Sequence, residues 1–576
     1  MKLNHLRFKR SMALLLAALF MISAFTACGG GASNTPAPAQ SAAPSQAAPA
    51  PAPAPSPTAS SLAAAPSAAP VQSTELTEED KYGGTAIFEL DAEPYNINHF
   101  ASSGNGQGQV KMATSDYLAL YNPHTGEYEP RLLESWDLSD DGTTWTMKLK
   151  EGIRWHDGHP FTAEDVIFTY GYLSNPDIDL ASPKTFSIPE TYEIIDDLTF
   201  TITGESPIPS KLAEWDTFLP KHIWENVDPK TFSTAPEGNL MVDVGPFKFA
   251  EYKVGEYIRF VRNDDYYGGK PYLDEIIYRI LPDKTAAAAA LESGQIDFVT
   301  TDAIGAEKLV ANPNLASAFS ASGNVARFYL NFNDKDFADL RFRQAFAHLF
   351  DRDLLVAQAM RGYADPAYSD FAPTDFYYVD DPFKQYDFNV EKAKALFDEI
   401  GFVPGSDGVR EKDGRRLEFE IIVPQNFQPY FEPAVLIMAP TFMEAGVKIS
   451  PKITDSSVVS ALWTSFDYEV LMSGTTMGPD PMRYRNIFAV DTNIMQYKDQ
   501  NMKDMFASAM AKIDTAEAKE EYEAIQYQLA DDVSNIPLWY RYTVFAHNKN
   551  LVVEDAVLHG NVFFRFMHME KLYKLK

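Results

Sequence analysis

Apolar and polar residues alternate along "TTWTMKLK" (143–150): Trp145, Met147 and Leu149 fall on one side, Thr144, Thr146, Lys148 and Lys150 on the other. A period of two predicts a strand with one buried face. "LTFTIT" (198–203) and "LEFEIIV" (417–423) repeat the pattern. Elsewhere the period lengthens. In "DTAEAKEEYEAIQYQLADD" (514–532), Tyr522, Ile525 and Leu529 recur at spacings of three and four, which predicts an amphipathic helix. Strand-like and helix-like stretches interleave from Lys81 onward, with no Pro/Gly/Ser-rich break and no internal repeat. The expected body is mixed α/β.

The stretch "GIRWHDGHPFTAEDVIFT" (152–169) joins the two patterns. Asp157-Gly158 is a turn signal. Thr162 with Asp165 three residues on makes a capping-box pattern, and Phe161 with Val166 stands at the positions of a hydrophobic staple. Glu164 and Asp165 then fall in a first helical turn, where the helix dipole favours negative charge. His156 and His159 lie three apart across the turn with no third ligand near them in sequence. A strand–turn–capped-helix joint is expected here, and no metal site.

The pattern changes character at the N-terminus. "MKLNHLRFKR" carries four Lys/Arg, and "MALLLAALFMISAF" and "TACGGG" follow. A charged start, a short apolar run and small residues are the marks of a signal peptide (1–27); the run is too short for a permanent span. Cys28, the only cysteine of the chain, follows Ala27, and the arrangement resembles the lipobox of a bacterial lipoprotein, with Phe25 where Leu is usual. No intramolecular disulfide or Cys-based metal site is possible. A Pro/Ala/Ser tract then runs to about residue 79; such a sequence cannot pack a core and reads as an extended tether.

Composition narrows the function. With 80 acidic against 49 basic residues the net charge is −31. Nucleic acid is therefore not an expected partner, since phosphate binding needs clustered Lys and Arg. Neither a Gly-x-Ser-x-Gly elbow, nor His-Glu-x-x-His, nor a phosphate loop is present, so no enzyme and no cofactor are expected. A secreted hydrolase working through two carboxylates is the remote alternative.

"ESWDLSDDGTTWTMKLKEGIRWHDGHPFTAEDVIFTY" (134–170) resembles the signature region of the family 5 bacterial extracellular solute-binding proteins, the peptide- and nickel-binding components of ABC importers. "FLPKHIWE", "VGPFKF", "RNDDYYGGKPYLDEIIYRI", "ALESGQIDF", "YLNFNDKDFADLRFRQAFAHLFDRDLL" and "EEYEAIQYQLADDVSNIPLWY" follow in the family's order. The resemblance implies a two-lobed, Venus-flytrap α/β fold of the periplasmic-binding-protein type. Lobe I would comprise 81–325 plus 536–576, with a subdomain inserted near 121–203, and lobe II 326–535. Hinges would fall near "ARFYLNFN" (326–333) and "NIPLWYRYTVFA" (535–546). It implies capture of a peptide or peptide-like solute, or alternatively a chelated metal or oligosaccharide, by a monomer that is lipid-anchored outside the cytoplasm through Cys28 and serves an ABC permease.

Family members that bind peptides hold the ligand's α-amino group with an Asp in a loop that here reads "GTTMGPDPMRYR" (474–485). Aligning on Asp480-Pro481 puts Met477 at that Asp's position. An unpaired buried ammonium is costly, so either Asp480 takes the task or the ligand has no free amine there. Arg483 and Arg485 can clamp a carboxylate or form surface or lobe–lobe ion pairs. Tyr95, Asn96 and His99 follow the first strand, where the family lines its cleft; a half-exposed loop histidine is the plainer reading of His99. Phe371, Phe376, Tyr377 and Tyr378 can stack on a ligand or pack beneath their loop. Trp463 is either cleft wall or core.

Overall fold

The computed structural model describes residues 77–94, 100, 105–122, 125–178, 190–209, 211–213, 217–301, 303–477, 482–553 and 568–576. The signal-peptide, Cys28 and tether readings lie outside them.

The first half lays down β1 (Thr85–Leu90), a hairpin of β2 (Ala119–Tyr121) and β3 (Tyr128–Pro130), then β4 (Leu133–Leu138), β5 (Thr144–Leu149), β6 (Glu190–Ile194) and β7 (Thr199–Gly204). It continues with β8 (Phe247–Lys253), β9 (Tyr257–Arg262), β10 (Glu275–Ile280) and β11 (Phe298–Thr301). The long β12 (Leu315–Leu330) leads into the second half. There β13 (Ala364–Pro366), a small sheet of β14 (Val403–Pro404), β15 (Arg410–Lys412) and β16 (Arg415–Arg416), and β17 (Glu418–Pro424), β18 (Lys448–Thr454) and β19 (Val470–Thr476) follow. Finally β20 (Ile536–Asn548) returns.

One 11-stranded sheet runs in the order β18-β17-β19-β12-β20-β11-β1-β10-β9-β8, with β13 on β20. The inserted sheet β4-β5-β7-β6 stands apart from it. In β5 the alternation predicts the burial: Trp145, Met147 and Leu149 are buried, while Thr146 is exposed. The joint at 152–169 also forms as expected. Thr162 and Asp165 make the capping box of the helix Ala163–Leu173, and Phe161 and Val166 are buried in one cluster. The helix expected over 514–532 spans Thr515–Asp531, capped by the Asp514 side chain.

Among the described strands, only β12 and β20 belong to both halves. They pair antiparallel from Leu315↔Asn548 to Phe328↔Ile536. Beyond β20 lies β11, paired over residues 544–547, and β13, paired over 539–541. Beyond β12 lies β19, paired over residues 324–330. The ladder slips between Ala321 and Asn324, next to Gly323 at φ 63°. The sheet changes halves at this irregularity, a few residues before the expected hinge at 326–333 and inside the one at 535–546. The hydrophobic cores divide at the same place. Phe545, Phe88 and Ile276 share one cluster, whereas Phe328, Leu538 and Trp539 pack with Phe346 and Phe442 in another.

Just past the slip, the second half is tied by a fully buried ion pair. Arg327 Nε donates to Asp370 Oδ1 at 2.9 Å, and Asn535 Nδ2 donates to Asp370 Oδ2 at 3.1 Å. Both side chains of the pair are 0% exposed. Burial pushes the Asp370 carboxyl up, against the pull of Arg327 and Asn535. Asp370→Ala is expected to cost about 3–5 kcal/mol, because it strands a guanidinium away from water. Urea unfolding checks this; the double replacement Arg327→Met/Asp370→Leu should recover most of the loss, since no charge is then left unpaired.

Candidate functional site

The register of the sheet locates the site. β1 runs parallel to β10 and β11, and β17 runs parallel to β18 and β19. Such strands end at the face where open α/β sheets bind ligands. The last residue of β11, Thr301, pairs with Val544, and the last residue of β19, Thr476, pairs with Asn324. Since Asn324 pairs with Arg541 on β20, both halves bring carboxyl strand ends to the point where the sheet changes halves. This is the place for a crevice between the two halves, over β12 and β20, the two strands that they share among the described residues.

On the first-half side, Glu89 near the end of β1 is buried. It accepts from Lys284 Nζ at 2.9 Å and from Thr300 N at 3.0 Å. Burial nevertheless raises its carboxyl above the ordinary range, with Lys284 pulling it back. This group fastens the ends of β1 and β11 to the helix Lys284–Glu292. On the second-half side, the Tyr329 and Thr475 hydroxyls lie 2.9 Å apart, and Asn324 Nδ2 donates to Thr476 Oγ1 at 3.0 Å.

The halves also meet at the hairpin β2–β3. A Cβ on Gly126 would lie 3.2 Å from the Phe376 ring, and the Tyr121 hydroxyl is pushed up by burial first and by neighbours that include Tyr377 and Asp375 of the other half. Nearby, a Cβ on Gly142 would come within 2.9 Å of the Ile513 side chain. Glycine at 126 and 142, both at positive φ, lets the inserted subdomain close against the second half.

The residues singled out in the sequence fall as follows. Tyr95, Asn96, His99 and Asp480 lie outside the described residues. Met477 follows β19, is buried, and donates its backbone N–H to Gly323 O at 3.0 Å, so it sits at the hinge irregularity. Trp463 is half-buried and meets Tyr329 edge-on at 6.0 Å. Arg483 is exposed and Arg485 half-buried on the helix Met482–Phe488; Arg485 Nη1 reaches Asn486 Oδ1 at 3.4 Å. Phe371 does not offer a stacking surface. It is 0% exposed, its ring stacked on Tyr484 at 3.7 Å, because the loop folds its aromatic residue into the core of the helices behind. Phe376 is the loop aromatic that reaches the other half. Sequence reasoning passed over Asn324, Thr475, Glu89 and Lys284. The Gly323-Asn324 break inside an apolar strand was the one available signal, marking a bulge.

Two separately cored lobes, joined by two continuous strands and opening a crevice at their carboxyl strand ends, define a clamp that holds a solute between lobes. The family model of the bacterial extracellular solute-binding proteins, family 5, matches residues 127–496, and the chain belongs to that family. It is similar to the oligopeptide-binding protein AppA of Bacillus subtilis, at 27% identity over 488 residues, covering 81% of this chain and 88% of that one. Among solved structures, the ABC transporter substrate-binding protein CtaP of Listeria monocytogenes superposes with a TM-score of 0.77 at 27% identity, over 86% of this chain and all of that one. AppA of Bacillus subtilis in complex with a nonapeptide gives 0.72 at 25%, again over 86% of this chain and all of that one. Among the described residues, no helix is long and apolar enough to cross a membrane.

If the Phe376 ring holds the lobes together across the crevice mouth, Phe376→Ala should loosen closure. Losing even one CH₂-sized apolar contact, about 0.8 kcal/mol, corresponds to a roughly fourfold shift toward the open state. Small-angle scattering should then show a larger radius of gyration than in the parent; identical curves would refute the contact's role.

Proposed function

We propose that this protein captures peptides in the inter-lobe crevice and delivers them to an ABC permease, as a monomer anchored outside the cytoplasm by a lipid on Cys28. The convergence of carboxyl strand ends from both lobes on the shared pair β12–β20 carries the reading. A ligand touching Thr475–Met477 on one side and the ends of β1 and β11 on the other contacts both lobes only when they close, so binding favours the closed form by its differential affinity. No covalent chemistry is required, and no catalytic role is assigned. The relatives support the choice of ligand: AppA of Bacillus subtilis is an oligopeptide-binding protein solved with a nonapeptide.

In this reading lobe I is 81–325 plus 536–576, with the subdomain near 121–203, and lobe II is 326–535. The core division near residues 321–325 supports the first bound; on β20 it falls near 541–544, so Leu538 and Trp539 pack with lobe II and the crossing on β20 lies a few residues after 536. Tyr95, Asn96 and His99 contribute from lobe I. Trp463, Asp480, Arg483 and Arg485 contribute from lobe II, and Met477 and Phe371 shape the wall from beneath. The N-terminal order of charged start, apolar run, Cys28 and Pro/Ala/Ser tract supports cleavage before Cys28 and a tethered, lipid-anchored domain.

Native mass spectrometry of the purified chain, with carried-over ligand released and identified, tests the ligand. A mixture of short peptides is expected; a single non-peptide mass overturns the peptide assignment. For the anchor, Cys28→Ser should move the protein from the membrane fraction into the soluble fraction, and its retention with membranes would count against lipidation.

A further inference from the structure

The turn at 154–160 acquires a partner that its own sequence does not contain. Trp155 N donates to His159 O and Gly158 N to Trp155 O, each at 2.8 Å, and Arg154 bridges Pro160. His156 turns away from the other histidine: Asp243 N donates to its Nδ1 at 3.3 Å, and its Nε2 lies 3.1 Å from Gly245 O. His222, from the short helix Lys221–Trp224, stands beside His159 instead. His222 Nε2 lies 2.7 Å from Asp157 Oδ2, and His159 Nδ1 lies 3.2 Å from Asp157 Oδ1. The two imidazoles stack at 3.9 Å with 22° between their planes. The three donor atoms all lie within 4.8 Å of one another.

The two segments are held together independently of these side chains. Asp165, the capping residue, accepts from Thr162 N on one side and from Lys221 N on the other, both at 2.9 Å. Lys221 Nζ adds a 2.8 Å ion pair to Glu164. Burial does not impose the position of His159, whose side chain is 58% exposed. Two imidazole nitrogens and one carboxylate oxygen on a preset frame are the donors that zinc-like ions take, at about 2.0–2.2 Å from the metal. Donors of a tetrahedral ion lie roughly 3.3 Å apart, so the exposed His159 ring must leave its stack on His222 and turn its nitrogen toward the His222–Asp157 pair to close the set.

We propose that Asp157, His159 and His222 bind one divalent ion of the zinc class, with solvent at the fourth position. None of the three stands on the strand ends that form the crevice, so this is not the solute site. The nitrogen donors favour Zn²⁺, Ni²⁺ or Cu²⁺ over Mg²⁺ and Ca²⁺, which prefer all-oxygen sites. Bound there, the ion would link the subdomain turn to the segment carrying His222 and stabilise the folded chain by mass action.

The test is equilibrium dialysis of the full chain, stripped with chelator, against Zn²⁺ in excess Mg²⁺. It compares the parent with His159→Ala and with Glu134→Gln, an acidic surface control. The parent and the control should each bind one ion that His159→Ala binds at least tenfold more weakly. Zn²⁺ should raise the melting temperature of the parent more than that of His159→Ala, with the two equal in chelator. Equal binding by parent and His159→Ala would place the ion elsewhere on the acidic surface and overturn the proposal. Displacement by Mg²⁺, or no binding by the parent, would overturn it too.

Discussion

Everything that lets this molecule act as a clamp depends on one antiparallel pair. β12 and β20 are hydrogen-bonded along nearly their whole length, and no other strand of the described sheet is shared by the two halves. A continuous ladder resists bending, because every bend distorts several backbone hydrogen bonds at once. The slip between Ala321 and Asn324 weakens that resistance, a second irregularity follows between Ala326 and Arg327, and Gly323 supplies the positive φ that the first break requires. Because the cores divide there, bending need not expose either of them. The ligand then has only to shift an equilibrium between two intact lobes.

The structure stiffens immediately on the second-half side of that slip. Arg327 lies three residues past Asn324, and its pair with Asp370 ties β12 to the chain after β13, while Asn535 adds the start of β20. Tyr540 extends the same tie: its hydroxyl accepts from Ser369 N and donates to Ser369 O, both at 2.9 Å. A buried ion pair is weak evidence for stability, since apolar residues of similar volume often serve as well. Its geometric effect is clearer. Arg327, Asp370, Asn535 and Tyr540 thus tie β12, β20 and the chain after β13 together on the second-half side, directly beside the ladder irregularities at 321–327.

Local pattern made much of this fold legible. The burial of β5, the capping box of Thr162 and Asp165, and the helix capped by Asp514 all follow from periods and caps written within twenty residues. The resemblance supplied the two-lobed fold. What the sequence could not show were pairings that span long stretches of chain. His222 meets Asp157 across 65 residues, and Gly126 meets Phe376 across a lobe boundary. Phe371 and Phe376 are chemically alike in one loop, yet one is buried against Tyr484 and the other faces the opposite lobe. Composition does not distinguish them; the direction of the backbone does.

The same distinction bears on how the crevice treats charge. The resemblance puts Met477 where it implies an acid, and the surroundings of Met477 are apolar. Its side chain is buried among apolar residues, and its N–H is used by Gly323 O. A carboxylate there would lose solvation without gaining a partner, unless the ligand brought a cation. At the facing strand end, Glu89 is already paired with Lys284 and with Thr300 N, so its charge serves the scaffold. Neither position offers a free carboxylate to a ligand's ammonium. If a free amine is held in this crevice, its counter-charge must come from the segments beyond these strand ends, where Asp480 stands in the sequence.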